Sequence, residues 1–390
     1  MTLSVKKEYL RAIRDRYYNS SKKQKSLILD ELCATAGFSR KYAIKILAIK
    51  HKEGKKLSGR SRSYSKEAVF HLRKLWHIMD HMCSKKMVAA FPIWLEFYQA
   101  PNFTLAVKQE LLSMSHSTVD RYLTPYRARF RRYKNTGTRF AGKPHIKQII
   151  PLKPFNQKVY RPGFVETDTV AHCGGSLSGK FIWSLTFTDV YSGWTDNYAI
   201  WGKGSGEVLS AIDYIDRRLP YEMVSCNVDN GSEFLNYSLI EYMRDVKKVD
   251  LTRSRPFKKN DNCHVEQKNG THVRETFGYQ RLEHEYLLKY MNEIYKDYHN
   301  VLYNFFVPQL KLVEKRREGA KYKKKFEKPK TPYQRLMESK HLSMKEKEEL
   351  KRKYELLNPI TLKREMSRKI NMFEKLVERS KIESFKYETA

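Results

Sequence analysis

Residues 163–201 hold three successive runs rich in β-branched and aromatic side chains, and no other stretch limits the fold as tightly. In GFVETDTVAH (163–172), Val165, Thr167 and Thr169 alternate with Glu166, Asp168 and Val170, the two-residue period of a strand. Gly174 and Gly175 suit the turn that follows. KFIWSLTFTDV (180–190) and WTDNYAIW (194–201) predict a second and third strand. Beyond them the pattern changes. GEVLSAIDYIDRRL (206–219) sets Val208, Ile212 and Ile215 on one helical face, and MVSCNVDN (223–230) is a short buried strand ending at Asp229. SEFLNYSLIEYMRDV (232–246) predicts a helix with Ser232 as its cap and Glu233 in its first turn. VDLTRSR (249–255) is a fifth strand, and a helix begins near Asn262. Three strands followed by helices alternating with buried strands predict an α/β domain, a mixed five-stranded sheet covered on both faces.

A chain of 390 residues is too long for one ordinary domain. Composition separates a basic helical region (1–134), a Gly- and Pro-bearing linker (135–160), the strand-bearing core (161–305) and a basic helical C-terminal region (306–390). The first region holds two candidate helix-turn-helix units, 24–49 and 105–127. In the first, Leu27, Leu29, Leu32 and Cys33 predict one buried face, Gly37 the left-handed turn and Ser39 the next N-cap. Ala43, Ile44 and Leu47 predict a second buried face, leaving Arg40, Lys41 and Lys45 for DNA. In the second, Ser115 or Ser117 caps a helix holding Val119, Tyr122 and Leu123. Arg121 lies on that helix, and Arg127, Arg129, Arg131 and Arg132 follow. Taken singly, each unit reads equally well as a helical hairpin with a solvated charged face. Two of them in so basic a chain favour DNA binding.

Lys and Arg number 76 against 43 Asp and Glu, a formal charge of +33, an excess that calls for a polyanion such as nucleic acid. No run of 18 apolar residues is present, which argues against a membrane-spanning segment, and the opening MTLSVKKEYL lacks the apolar core of a signal peptide. Cysteines 33, 83, 173, 226 and 263 are odd in number, scattered and without a CxxC pair, which reads as reduced thiols in a cytoplasmic protein. His77, His81, Cys83 and His116 offer a zinc alternative, weighed against ordinary surface or core histidines.

VETDTVAH, NVDNGSEF and SRPFKKNDNCHVEQKN carry a resemblance. The chain resembles the transposases of bacterial insertion sequences that share the retroviral-integrase catalytic core, a ribonuclease-H-like fold. The likeness covers roughly 160–305, with flanking pieces at 148–163 and 331–337. It implies that Asp168, Asp229 and Glu266 are the catalytic Asp–Asp–Glu triad and the ligands of two Mg²⁺ or Mn²⁺ ions. Asp229 and Glu266 stand 37 positions apart, close to the interval of the family. It further implies DNA strand cleavage and strand transfer at element ends, with element-end and target duplex as partners. A homo-oligomer in the synaptic complex, a nucleoid location in the bacterial cytoplasm, and Lys258, Lys259 and Asn260 near the DNA backbone follow from it too.

The residue types suit that chemistry. In-line displacement at phosphorus needs a hard cation, which takes oxygen ligands and keeps some waters, so a few carboxylates suffice. Asp189 reads as a turn former, Asp261 as a helix cap, and Asn269 as facing the same groove as Glu266. No N-terminal His/Cys zinc module and no period-2 run of a small C-terminal β-barrel is present. Instead 344–357 and 360–381 predict helices, and 311–330 carries ten Lys/Arg against three acids, a run that is usually solvated and can also clamp phosphates. A catalytically inactive DNA-binding regulator, a ribonuclease-H-like nuclease on RNA–DNA hybrids and a charge-rich interaction protein are the competing readings.

Overall fold

Every residue of strand β2 (Ile182–Asp189) is buried, which places it inside a sheet covered on both faces. The computed structural model describes residues 3–48, 64–127, 149–152, 159–255, 261–319 and 321–388. In it β1 (Phe164–Ala171) and β3 (Thr195–Trp201) flank β2 antiparallel. On the far side of β1, β4 (Ser225–Val228) and β5 (Asp250–Arg253) run parallel to it, giving the order β3-β2-β1-β4-β5. This mixed sheet with flanking helices is the α/β architecture expected of a ribonuclease-H-like core. Asp189 shapes the turn after β2 as expected: its carboxylate accepts from Gly163 N (2.9 Å), Ser192 N (2.7 Å) and Ser192 Oγ (2.6 Å).

The chain divides into two compact units, Met1–Ser63 and Tyr64–Ala390. The first holds α1 (Leu3–Tyr18), α2 (Lys22–Ala36) and α3 (Arg40–Ala48) around Leu10, Ile13, Ile28, Leu29, Leu32, Ala43 and Leu47. Gly37 ends α2 at φ 69°, where a Cβ would be strained, and Ser39 Oγ accepts from Tyr42 N at 3.4 Å. The buried face differs from the sequence reading by a rotation: Ile28 and Ala36 are inside, Leu27 and Ile44 are exposed, and Cys33 is half-buried. α1 explains this. It covers the side of α2 that a two-helix reading leaves to solvent.

The second unit holds α4 (Lys66–Ile78), α5 (Ser84–Phe97), α6 (Leu105–Ser113) and α7 (His116–Arg127), with Ser115 as the cap of α7. After β3 come α8 (Ser205–Asp216), α9 (Tyr237–Glu241), α10 (Cys263–Lys268) and α11 (Glu275–Phe277). The chain then runs through α12 (Leu287–Glu293), α13 (Asn300–Phe306), α14 (Pro332–Glu338), α15 (Met344–Glu355) and α16 (Pro359–Glu388). Trp94 of α5 donates its indole N–H to Phe306 O (3.0 Å), so α4–α7 share a core with α12–α16. One expectation is corrected. Ser232 does not cap a helix; the chain turns inward there, and Asn236 caps α9 by accepting from Leu239 N at 2.9 Å. The C-terminal region is helical as expected over α14–α16, and within the basic run before them Leu312–Glu318 (β6) and Lys321–Phe326 (β7) pair as an antiparallel hairpin.

The free edge of β3 is closed by side chains. Asn292, Asn300 and Asn304 each donate to a backbone carbonyl of β3 and accept from the amide N–H of the same residue, at Ala199, Asn197 and Thr195 in turn, over 2.7–3.2 Å. One helical turn from Asn300 to Asn304 rises about 6 Å, close to the ~6.7 Å of two strand residues, whereas Asn292 and Asn300 stand eight positions apart with the π-helical turn Ile294–His299 between them. An edge saturated in this way offers nothing to another strand.

Candidate active site

Strand register fixes the first two acids. β1 and β4 pair in parallel with Thr167 opposite Val228, so the next residues, Asp168 and Asp229, fall side by side. The third segment is pinned by a carboxylate. Glu166 Oε2 accepts from His264 N (2.9 Å) and Val265 N (3.2 Å), satisfying free amides at the start of α10 and holding Glu266 one residue further on. Asn269 Nδ2 donates to Asp168 Oδ2 at 2.7 Å, while Thr169 N donates to Oδ1 at 2.8 Å. Asp229 Oδ1 accepts from Gly231 N at 2.7 Å. Asn227 joins β4 to its surroundings, donating to Ser254 Oγ and Asn262 Oδ1 and accepting from Thr252 Oγ1.

A fourth acid joins them. Glu233, 6% exposed, accepts from Thr169 Oγ1 at 3.0 Å and lies 3.4 Å from Lys203 Nζ. A Cβ on Gly231 would stand 2.6 Å from the Glu233 carboxyl carbon, so a larger residue there would displace the Glu233 carboxylate. Burial, then Asp229, Glu233 and Glu266, drive the Asp168 carboxyl well above the ordinary range, against the opposing Thr169 N–H. Asp229 is raised to about 6, mainly by burial and then by Glu233; Gly231 N–H and Lys203 oppose the rise.

In a chain of charge +33, this concentration of poorly compensated carboxyls is the opposite of the overall balance. An all-oxygen donor set suits a hard divalent cation, and Asp168, Asp229 and Glu266 are the residues that would hold it. Glu266 itself is exposed, and among the described residues no group of three or more His, Cys, Asp or Glu is arranged to hold a metal. The chemistry of the donors fits, while their closed arrangement is not formed.

The other expected site residues are dispersed. Arg40 is tied back to α2 through Asp30 and Ser26, while Lys41, Lys45 and Arg121 are exposed. Arg127 pairs with Asp120 at 2.5 Å. Arg129, Arg131, Arg132, Lys258, Lys259 and Asn260 lie outside the described residues. Asp261 is not a helix cap: it forms a two-pronged ion pair with Arg255 (2.7 and 2.8 Å), joining the residues on either side of 256–260. His77 Nδ1 and His81 Nε2 lie 3.0 Å apart, bonded to each other. None of the five cysteines is in a disulfide, and no helix among the described residues is long and apolar enough to cross a membrane.

No family model matches the chain. The uncharacterized protein y4rM of Sinorhizobium fredii (strain NBRC 101917 / NGR234) is 32% identical over 341 residues, covering 86% of this chain and 96% of that protein. The chain belongs to the family of y4rM. Among solved structures, the catalytic core domain of BIV integrase is similar at a TM-score of 0.30 and 16% identity, over 46% of this chain and 96% of that one.

For this y4rM-family chain, sequence reasoning missed three contributors: Glu233, Lys203 and Glu166. Glu233 sits inside NVDNGSEF, and the glycine two residues before it was the available signal of a tight inward turn. Glu166 shares a strand face with Asp168, so period two alone puts both acids on the same side of β1. Lys203 follows β3 and left no pattern to find.

Proposed function

We propose that the chain is a metal-dependent polynucleotidyl transferase, a transposase that cleaves and rejoins DNA at the ends of a mobile element. The observation that carries this reading is the half-buried Asp168 carboxyl, beside Asp229 with Glu233 and Glu266 in electrostatic reach and steered by Asn269. Strongly raised carboxyls gathered at one end of a sheet mark a candidate functional site. When bound, two Mg²⁺ or Mn²⁺ ions would supply Lewis-acid activation of the nucleophile and stabilise the leaving oxygen.

The chain's own side chains do the positioning. Asn269 and Thr169 N–H fix the orientation of Asp168, Gly231 N–H that of Asp229, and Glu166 the start of the helix bearing Glu266. Lys203, a quarter exposed at Glu233, offers a cation towards a phosphate at the rim. In the first step water adds to phosphorus and the 3′-oxygen leaves. In the second, that freed 3′-hydroxyl loses its proton and attacks the phosphorus of a target phosphodiester, whose own 3′-oxygen leaves and takes up a proton. Lys41, Lys45 and Arg121 are the exposed cations proposed to read the element ends, and joining two ends calls for a homo-oligomer.

The experiment is cleavage of duplex bearing the element's ends by the full chain with Mg²⁺ or Mn²⁺. Release of a 3′-hydroxyl is expected, with Asp168→Asn, Asp229→Asn and Glu266→Gln each losing it while still binding DNA. Near-normal cleavage by any one of these variants would remove that residue from the triad. Binding without metal-dependent cleavage by the native chain would make it an inactive DNA-binding regulator, and cleavage of RNA–DNA hybrid alone a ribonuclease.

A further inference from the structure

The hairpin β6–β7 stands apart from every other strand: all of its described residues are exposed on both faces. A lone two-stranded ribbon is marginally stable at best, and this one carries like charges directly opposite each other, Lys315 against Lys324 and Arg316 against Lys323. Such pairs are unfavourable. Its base, in contrast, is firmly built. Gln309 bridges Lys330, Glu327 N donates to Lys311 O (3.0 Å), and buried Arg335 binds Glu327 together with the carbonyls of Gln309 (2.8 Å) and Ser192 (3.1 Å). The ribbon is thus an arm with an anchored root whose faces are left exposed by the described residues.

Its two faces differ. One presents the pairs Glu314–Lys325, Arg316–Lys323 and Glu318–Lys321, where Lys323 is already bound to Glu318 at 2.6 Å. The other presents Lys315, Lys324, Arg317 and Tyr322 without an acid, with Lys315 Nζ 4.7 Å from the Tyr322 ring centre. Cations free of acids beside an exposed aromatic suit phosphates and a sugar or base, and a two-stranded ribbon is one of the two elements that a DNA major groove admits. We propose that this face of the hairpin is a DNA-docking surface, lying along a groove of duplex DNA with Lys315, Arg317 and Lys324 on phosphates and Tyr322 against the groove wall. The inference rests on the function proposed above and adds to it a contact surface outside the helical units.

The test compares two matched triple variants of the full chain, Lys315→Ala/Arg317→Ala/Lys324→Ala and Lys321→Ala/Lys323→Ala/Lys325→Ala. Each removes three positive charges from exposed positions. Binding to labelled duplex is read by fluorescence anisotropy in chelator, between about 50 and 200 mM salt. The first triple is expected to lose ~10-fold or more in affinity and to lower the slope of log K against log salt by ~2–3, at about 0.9 per phosphate contact. The second is expected to change far less. Equal losses in both would reduce the effect to bulk charge and overturn the proposal, as would native affinity in the first triple. Anionic vesicles that bind the native chain more tightly than duplex, through the same three residues, would overturn it in favour of a lipid surface. If the native chain cleaves element ends while the first triple binds DNA normally, only the hairpin inference fails. If the native chain binds no duplex at all, the function proposed above fails with it.

Discussion

The two sides of the central sheet are finished in opposite ways. At the β3 edge the exposed pairing groups of Thr195, Asn197 and Ala199 are answered by asparagine amides. At the junction of β1 and β4, burial and then neighbouring acids raise Asp229 to about 6 and hold Asp168 well above the ordinary carboxyl range. Polar saturation serves stability, whereas uncompensated charge costs stability and is retained where it serves another purpose. The contrast sets a saturated sheet edge apart from a crowded acidic junction between two interior strands.

The largest expected effect on stability lies at the saturated edge. Asn300→Leu leaves the N–H and carbonyl of Asn197 unpaired in a buried setting, at ~1–3 kcal/mol for each group. Urea unfolding is expected to show a loss of about 2–6 kcal/mol with little change in metal-dependent cleavage per folded molecule. A loss below ~0.5 kcal/mol, the range of ordinary surface changes, would mean that the ladder does not secure the edge.

At the other side the sign reverses. Asp168 and Asp229 are raised, so their protonated forms favour the folded chain. That stability is fully present below the ordinary carboxyl value and is lost as pH rises, through about 6 for Asp229, with Asp168 shifted in the same direction. Asp168→Asn removes one of the repelling charges. Without metal it is expected to be more stable than the native chain at pH 8 and indistinguishable from it near pH 4. Thermal unfolding in chelator across that range is the measurement. A variant less stable at pH 8 would mean that the acids are not frustrated by one another.

Much of the sheet was legible because period-two alternation and turn residues are local signals. VETDTVAH and NVDNGSEF show where strands carry acids, and parallel register does the rest. What was hidden depends on partners distant in sequence. The asparagine ladder pairs residues 93 to 109 positions apart, and no pattern in 292–304 announces which strand will meet it. The buried face of α2 was misjudged at Leu27 because α1 covers a side that its own periodicity cannot see. The basic run 311–330 reads as a solvated segment by charge alone, yet alternation across Gly319 folds it into a ribbon whose two faces differ. Glu233 was hidden in plain view, since an acid two residues after a glycine can begin a helix or turn inward, and only the packing of Thr169 and Lys203 decides.

The most direct test of the central claim is divalent-metal binding at the carboxylate cluster, by Mn²⁺ electron paramagnetic resonance on the full chain. The native protein is expected to bind Mn²⁺ at pH 8 and to lose it as pH falls through about 6, when protons compete for Asp229. Asp168→Asn is expected to bind at least ~10-fold more weakly at pH 8, a conservative loss for removing a charged ligand from the cluster. Equal Mn²⁺ affinity in the two proteins, with no dependence on pH between 5 and 8, would contradict the account.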